Sequence, residues 1–361
     1  MTLVAVRDDR GYHRECGSMV AGSCGVRTRM KRVAVLGAGG MGTALALLFA
    51  RTAQVTLWAR ESARASEIAR TRENARHLPG VRLSDSIDVT HDAATAVHGA
   101  ELIVVAIPTS YLRATLNSLA ISIPTAIPAL SVVKGIENET FARPSEIILA
   151  TLGQRPVAVL SGPSHAEELA RGLPASVVVA GSDERLCERA RDALNHGMFR
   201  VYTNPDAIGV EVAGALKNIL GIAAGVCDGL NLGDNAKAAV LTRGLAEITR
   251  FGVDLGAKPS TFFGLAGVGD VITTCFSKFG RNRSVGERIG RGEKLDDVLR
   301  GMVNVAEGVP TTRSVHHLAK ERGLDVPITD ELYEILFKGK PPKSVIADLM
   351  VRDPKVEWAQ S

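Results

Sequence analysis

A glycine-rich turn lies between a short β-rich run and an Ala- and Leu-rich helical pattern in residues 33–49, VAVLGAGGMGTALALLF. Gly37, Gly39 and Gly42 follow the GxGxxG spacing. In a dinucleotide site the first glycine permits the tight turn, the second lets the backbone approach a pyrophosphate, and the third allows close helix-to-strand packing. Glycine makes up 36 of 361 residues, so the spacing alone is weak evidence. The flanking strand and helix favour a dinucleotide site over a plain tight turn.

Short β-branched runs alternate with helical stretches as far as residue 203, which predicts a parallel sheet with crossover helices. The predicted strand segments are VAVLG (33–37), VTLW (55–58), LIVVAIP (102–108), IPALSVVKG (127–135), VAVLSGPS (157–164), ASVVVAG (175–181) and FRVYT (199–203). After Asn204, Pro205 and Asp206, a helix start, the chain reads as helix and loop. We therefore predict an α/β protein with a Rossmann-type parallel-sheet domain at 30–206 and an all-helical catalytic domain at 207–361.

Composition argues against several classes of function. The net charge is only +4, and Lys and Arg are spread without aromatic interleaving, so no nucleic-acid partner is expected. No run approaches the roughly 18 uninterrupted apolar residues of a membrane span. Five cysteines without a CxxC pair indicate reduced thiols and a cytoplasmic location. Cys187, Cys227 and Cys275 are expected to be small buried hydrophobic residues.

Residues 1–29 contain eight Arg, Asp and Glu side chains but no apolar stretch typical of a signal peptide. Met30 directly precedes Lys31 and the first predicted strand. We interpret residues 1–29 as an extension that is disordered or that lies upstream of the true start codon.

Cofactor selectivity depends on the end of the second predicted strand, about 20 residues past the glycines, where NAD-selective folds usually place an acidic residue on the ribose hydroxyls. This chain has Arg60 there, followed by Glu61. A guanidinium can pair with a 2′-phosphate, so we expect NADP to be accepted. A solvated surface arginine is the alternative, and the choice between NADP and NAD stays open.

The second half must supply the chemistry, because a Rossmann domain alone does not name a reaction. Besides Cys227 itself, the only ionisable side chains between Ala207 and Cys227 are those of Glu211 and Lys217. The helix that contains them should be largely buried. Burial lowers the pKa of a lysine, and such a lysine can donate a proton to a carbonyl oxygen as hydride reaches the carbon. Lys217 is therefore the predicted proton donor. The alternative is a lysine whose head reaches solvent.

Two further segments carry polar residues in useful patterns. Asp270 and Thr274 are four residues apart and share a helical face if a helix begins after Gly269. Spacing alone does not decide whether Asp270 caps that helix or binds Lys217 and substrate hydroxyls. Arg281 and Asn282 suit a phosphate monoester, which predicts a small anionic substrate, with a solvated basic loop as the alternative.

Taken together, the motifs make the chain resemble bacterial NAD(P)-dependent glycerol-3-phosphate dehydrogenases from about Met30 to residues 349–352. The motifs are GAGGMGTALA, SVVKGIE (131–137), LSGPSHAEE (160–168), EVAGALKNI (211–219), LGDNAKAA (232–239), GLAGVGD, GRNR (280–283) and VAEGVPTT (305–312). The resemblance implies reduction of dihydroxyacetone phosphate to sn-glycerol 3-phosphate for phospholipid synthesis. It also implies a homodimer.

The resemblance assigns roles to single residues. Lys217 matches the catalytic proton donor and acceptor, and Lys134 matches a lysine near both cofactor and substrate. With Arg60 and the three motif glycines, the other predicted cofactor positions are Gly40, Met41, Ala166, Arg281, Val305 and Glu307. The other predicted substrate positions are Gly162, Ser164, Asn218, Asp270, Thr274, Arg281 and Asn282.

Three features depart from the pattern of the resembled family: Met41 replaces a tryptophan, Gly280 replaces a serine, and the N-terminal extension is unusual.

His165 is interpreted as a structural loop residue. His316 and His317 are expected at the surface, and no metal site is predicted because no third ligand is suitably spaced. Two alternative functions remain: a β-hydroxyacid-type or ketopantoate-type reductase, and a non-catalytic protein that senses NAD(P).

Overall fold

The computed structural model describes residues 30–277, 279–302 and 305–351, and the predictions for residues 1–29 lie outside them. Its amino-terminal half is built on one eight-stranded sheet with the order β3-β2-β1-β4-β5-β6-β7-β8. The strands are β1 (Arg32–Leu36), β2 (Gln54–Trp58), β3 (Ile87–Thr90), β4 (Leu102–Val105), β5 (Ala129–Ser131), β6 (Val157–Ser161), β7 (Ala175–Ala180) and β8 (Phe199–Asn204). The order reverses between β1 and β4, the point at which open α/β sheets bind ligands.

The sheet is mostly parallel, with one exception. β6 and β7 pair antiparallel, with Val159 opposite Ala180. The predicted Rossmann-type parallel sheet is confirmed, and this pair is its one antiparallel contact among the described strands. Strand direction depends on the path of the connecting segment and not on side-chain pattern, so the sequence did not reveal this pair. β3, with the sequence IDVT, was not predicted, because four residues at a sheet edge give too short a pattern.

Helices cover both faces of the sheet: α1 (Gly40–Phe49), α2 (Ser62–Thr71), α3 (Ala93–Val97), α4 (Thr109–Leu119), α5 (Pro144–Leu152), α6 (Ala166–Ala170) and α7 (Glu184–Leu194). Alternate residues of β1 belong to different apolar clusters. Val33 and Val35 share a cluster with α1, whereas Ala34 and Leu36 share one with α4. Both faces of the strand are thus buried, which explains the absence of polar alternation in its sequence.

The carboxyl-terminal part is helical: α8 (Ala207–Gly229), α9 (Gly233–Asp254), α10 (Asp270–Phe276), α11 (Arg281–Gly290), α12 (Leu295–Arg300), α13 (Gly308–Arg322), α14 (Pro327–Lys338) and α15 (Pro342–Met350). α8 is the centre of this part and is buried from Gly209 to Cys227, as predicted. By length and composition α8 is the one described helix that could cross a membrane, and its whole apolar window is buried inside the protein.

Close backbone packing fixes α11 against α8. A Cβ atom on Gly225 would lie 2.0 Å from the Arg283 carbonyl oxygen, and one on Gly286 would lie 1.9 Å from the Ile222 carbonyl oxygen. Only glycine at both positions allows these helices to approach so closely. The contact places the first turn of α11 beside the middle of α8, where Lys217 lies.

The prediction for three cysteines is confirmed: Cys187, Cys227 and Cys275 are buried and free. Burial raises the pKa of the Cys187 thiol to about 11 and that of Cys275 to about 12. Both thiols therefore stay protonated and pack as small apolar groups.

Candidate active site

The glycine turn between β1 and α1 has the shape that a pyrophosphate requires. Gly37 adopts φ +116°, a conformation open mainly to glycine, and a Cβ on Gly42 would lie 1.9 Å from the Gly37 carbonyl oxygen. A Cβ on Gly39, by contrast, would meet nothing within 4 Å. Gly39 is also the N-cap of α1 and offers no side-chain cap to its first-turn N–H groups. A helix start without a side-chain cap, with open space beside Gly39, suits an anion.

Gly39 and Gly42, the second and third glycines of this turn, predict different defects. Gly42→Ala should destabilise the fold by about 1–3 kcal/mol, because its Cβ would collide with backbone that cannot move freely. Gly39→Ala should leave the unfolding midpoint nearly unchanged but weaken NADH binding, because its methyl group would project into the ligand space. Urea unfolding and NADH fluorescence titration separate the two effects. Equal loss of stability in both variants would contradict this assignment.

Lys217, on the fourth turn of α8, is 7% exposed and lies beside Asp270, which is 2% exposed. Its Nζ donates to Asp270 Oδ1 at 2.9 Å and also to Thr274 Oγ1. Asp270 is the first residue of α10 and not its cap, which is Gly269. The shared helical face of Asp270 and Thr274 is therefore turned toward Lys217.

Lys134 follows β5 and reaches the other oxygen of Asp270 at 2.6 Å. Its Nζ also donates to the Gly162 carbonyl oxygen at 3.0 Å and to Ser164 Oγ at 3.3 Å. These three bonds use all three donors of the Lys134 ammonium. Lys217 has two acceptors among the described residues, so one of its N–H groups is left for a ligand.

Burial lowers the pKa of Lys217 to about 8, and the positive charge of Lys134 adds to this effect, while Asp270 opposes it. Burial would raise the pKa of Asp270, but the two lysines hold it below its ordinary value. Asp270 is therefore a carboxylate at neutral pH. With both lysines charged, the cluster carries one net positive charge, which suits an anionic ligand.

Two amides connect this cluster to α11. Asn218 Nδ2 donates to the Lys134 carbonyl oxygen at 3.0 Å, and Asn282 Nδ2 donates to Asn218 Oδ1 at 2.8 Å. Asn282 Oδ1 accepts from the Gly308 N–H at 3.0 Å. Asn218 is itself buried. Arg281 is exposed at the first position of α11, whose N-cap Gly280 has no side-chain hydrogen bond.

Glu307 faces the loop after β4. Its Oε1 accepts from the Thr109 N–H at 3.0 Å, while Glu307 Oε2 and Thr109 Oγ1 are buried and have no partner among the described residues. A Cβ on Gly135 would lie within 3.0 Å of both orphan atoms. Burial raises the pKa of Glu307 to about 7, although the Thr109 N–H and the charge of Arg281 oppose this shift. Two orphan polar atoms at one place fit a polar ligand group.

The remaining cofactor candidates have different surroundings. A Cβ on Gly40 would lie 3.5 Å from Ala166 Cβ, so the start of α6 is beside the glycine turn. Met41 is partly buried against the sheet cluster. The Arg60 side chain is 65% exposed, and its Nη2 lies 3.6 Å from Glu61 Oε1. Val305 is exposed.

The histidines have separate environments. The buried Nε2 of His165 has no partner among the described residues, and burial together with the charge of Lys217 lowers the pKa of this imidazole. His317 is exposed, as predicted. His316 is only half-buried: it pairs with Asp330 at 2.8 Å and stacks on Tyr333.

Some buried charged residues have roles that sequence reasoning missed. Lys237 is buried and donates to both oxygens of Asp228 at 2.9 Å, and Asp228 also accepts from Arg283 Nε at 2.7 Å. The sequence feature that could have indicated this role is Lys237 itself, the lysine of the motif LGDNAKAA (232–239). Glu211 pairs with Arg143 at 2.8 Å and accepts from Ser145, so it is a structural carboxylate.

Comparison with known proteins identifies relatives of this chain along most of its length. The family model described as NAD-dependent glycerol-3-phosphate dehydrogenase N-terminus matches residues 32–187, and the model for the C-terminus matches residues 206–347. Glycerol-3-phosphate dehydrogenase (NAD(P)+) of Geobacillus kaustophilus strain HTA426 is 49% identical over 332 residues, which cover 91% of this chain and 96% of that protein.

Solved structures show the same likeness. The crystal structure of glycerol-3-phosphate dehydrogenase from Coxiella burnetii superposes with a TM-score of 0.86 at 35% identity, covering 90% of this chain and 99% of that one. A ketopantoate reductase of Ralstonia eutropha JMP134 reaches a TM-score of 0.55 at 16% identity over 87% of this chain and 99% of that one. The second likeness concerns the fold alone.

Proposed function

The chain belongs to the NAD-dependent glycerol-3-phosphate dehydrogenase family, and from this premise we propose that Lys217, Asp270 and Lys134 form its active centre. The protein is an oxidoreductase that interconverts dihydroxyacetone phosphate and sn-glycerol 3-phosphate with NAD or NADP, and it supplies glycerophospholipid synthesis. Family membership favours this activity over a β-hydroxyacid-type or ketopantoate-type reductase and over a non-catalytic sensor. The observation that carries the proposal for the site is the buried Lys217 ammonium with one donor left for a ligand.

Lys217 acts on the oxygen of the reacting carbon. A nicotinamide cofactor held at the glycine turn would supply the hydride that reduces the ketone. The free N–H of Lys217 donates a proton to the carbonyl oxygen as the C–O double bond becomes a single bond, which leaves a neutral amine. In the reverse direction the neutral amine removes the hydroxyl proton. A pKa of about 8 allows both forms near neutral pH.

Asp270 and Lys134 hold this amine in position. Asp270 accepts a hydrogen bond from Lys134 through Oδ2 and one from Lys217 through Oδ1. The bond to Lys217 fixes the direction of the Lys217 N–H that is left for the substrate. Lys134 ties the loop after β5 to Gly162 and Ser164. The loops after β5 and β6 and the helices α8 and α10 thus converge on one point. Such pre-organisation is what orientation of a carbonyl for reaction requires.

The substrate phosphate is assigned to the start of α11. The Arg281 guanidinium suits bidentate contact with a phosphate, and the uncapped first-turn N–H groups of α11 favour an anion. Asn282 connects this turn to Asn218, next to Lys217. Binding at the phosphate therefore positions the ketone at the other end of the substrate.

Several finer assignments complete the proposal. The glycine turn, Ala166 and Glu307 hold the dinucleotide, with Met41 at its nicotinamide end. The Rossmann domain comprises residues 30–206 and the helical domain residues 207–361. The protein acts in the cytoplasm as a homodimer. The family resemblance supports this assembly, and light scattering tests it.

The activity is tested by following absorbance at 340 nm. Purified protein with NADH or NADPH should oxidise the cofactor rapidly with dihydroxyacetone phosphate. Ketopantoate and other 2-oxo acids, which carry a carboxylate in place of the phosphate, should support little turnover. Preference for a 2-oxo acid would contradict the proposed substrate, and tight cofactor binding without turnover of any triose phosphate would indicate a sensor.

A further inference from the structure

Asp228, near the carboxyl end of α8, connects three helices. Its Oδ2 accepts from Arg283 Nε of α11 at 2.7 Å, and both of its oxygens accept from Lys237 Nζ of α9 at 2.9 Å. Lys237 is 6% exposed, and its Nζ lies 4.5 Å from the centre of the Phe276 ring. Asp228 is therefore held from α9 and in turn holds Arg283, and the proposed mechanism assigns neither residue a role.

Arg283 belongs to the first turn of α11, the turn to which the substrate phosphate is assigned. A Cβ on Gly225 would lie 2.0 Å from the Arg283 carbonyl oxygen, so this turn touches α8 through its backbone. Asn282, one residue earlier, donates to Asn218 Oδ1 at 2.8 Å. Asn218 and Asp228 lie on opposite sides of Gly225 in the sequence of α8, about 15 Å apart along its axis. The turn is thus bonded to α8 on both sides of the backbone contact.

The orientation of this turn determines where the Arg281 side chain lies. Arg281 is the first residue of α11, is exposed, and has no hydrogen-bond or ion-pair partner among the described residues. The position of its guanidinium therefore depends on the backbone that carries it. Without the bond from Arg283 to Asp228, the turn would be held by Asn282 alone and would be free to pivot about its contact with Gly225.

We propose that Asp228 is a positioning residue for the substrate phosphate. Through Arg283 it fixes the first turn of α11, and it thereby directs the Arg281 guanidinium and the first-turn N–H groups toward the phosphate. Such a residue increases affinity without touching the ligand, because groups that are already oriented lose less conformational freedom on binding. The inference rests on the proposed phosphate site at α11.

Charge and positioning predict opposite results for Asp228→Asn. The substitution removes a negative charge that is bonded to the phosphate-binding turn, so charge alone would strengthen the binding of an anion there. Positioning predicts weaker binding. We expect KM for dihydroxyacetone phosphate to rise by about fivefold to tenfold, within the range of couplings inside one salt-bridge network, while kcat changes by less than about twofold. Steady-state kinetics at 340 nm measure both constants.

A substrate without the phosphate separates positioning from a general loss of structure. Dihydroxyacetone carries the same ketone but no phosphate, so its kcat/KM, measured at high enzyme concentration, should change by less than about twofold in Asp228→Asn. The matched control is Glu293→Gln, which removes an ion pair with Arg288 in the last turn of α11. This control should change kcat/KM for neither ketone.

Arg283→Met breaks the same ion pair from its other side and leaves Asp228 bonded to Lys237. It keeps the inference testable if Asp228→Asn does not fold, and it should likewise raise KM for dihydroxyacetone phosphate only. The double variant should have a KM no higher than that of Arg283→Met, because both substitutions remove one interaction.

The outcomes are distinguishable. An unchanged or lower KM for dihydroxyacetone phosphate in Asp228→Asn would overturn the inference. An equal fall in kcat/KM for both ketones would overturn it as well, because it would show that Asp228 only stabilises the fold. If the unmodified protein did not prefer dihydroxyacetone phosphate to dihydroxyacetone, the proposed phosphate site itself would be contradicted.

Discussion

Replacement of Lys217 by alanine should lower kcat for dihydroxyacetone phosphate reduction by about 10² to 10⁴, the usual contribution of general acid catalysis. The variant retains the glycine turn and Arg281, so the Kd for NADH should change by less than about threefold. Steady-state kinetics at 340 nm, together with fluorescence titration of NADH, measure the two quantities.

Lys237→Met provides a control for the loss of a buried lysine. Lys237 is as buried as Lys217 and also pairs with an aspartate, Asp228. This variant should lose stability but retain far more turnover than Lys217→Ala. If Lys217→Ala retained more than about a tenth of wild-type kcat with an unchanged pH profile, its assigned proton transfer would be wrong.

The second large effect is a loss of unfolding free energy, expected for Asp270→Asn. The substitution preserves the shape of the side chain but removes its charge. Among the described residues, Asp270 is the only carboxylate that pairs with Lys134 and Lys217. Breaking a buried ion pair costs about 3–5 kcal/mol of unfolding free energy. Deprotonation of Lys217 will relieve part of that cost, because the loss of Asp270 lowers the pKa of this lysine further. Urea unfolding at pH 7 measures the change.

Asp254→Asn is the matched control for this variant. Asp254 pairs with Arg322 at 2.7 Å, and both side chains are substantially exposed. Its loss should cost less than about 1 kcal/mol. Equal unfolding free energies for Asp270→Asn and Asp254→Asn would show that the buried cluster is not held together by charge.

The glycine turn could be predicted from sequence because its signal is local. Gly37, Gly39 and Gly42 lie within one turn and one helix start, and a Cβ on Gly42 would collide with the carbonyl oxygen of Gly37, five residues earlier. Burial of Lys217 could also be predicted, since the residues around it in α8 are almost all apolar. Lys134 could not be assigned from its own surroundings and was expected only through the family resemblance.

Contacts between distant segments could not be predicted. The Thr109 N–H and Glu307 are 198 positions apart, and Lys134 and Asp270 are 136 apart. Spacing alone did not decide whether Asp270 caps α10 or binds Lys217. The answer depends on which side chains the first residue of α10 faces after folding. The antiparallel pairing of β6 and β7 escaped prediction for a similar reason: parallel and antiparallel neighbours bury the same apolar side chains.

The pH dependence of kcat/KM in both directions tests the central role of Lys217 most directly. The ammonium is required for reduction, so kcat/KM for dihydroxyacetone phosphate should fall as pH rises through about 8. The neutral amine is required for oxidation, so kcat/KM for glycerol 3-phosphate should rise through the same pH. Profiles that are flat between about pH 7 and 9, or that change in the same direction for both reactions, would contradict Lys217 as the group that transfers the proton.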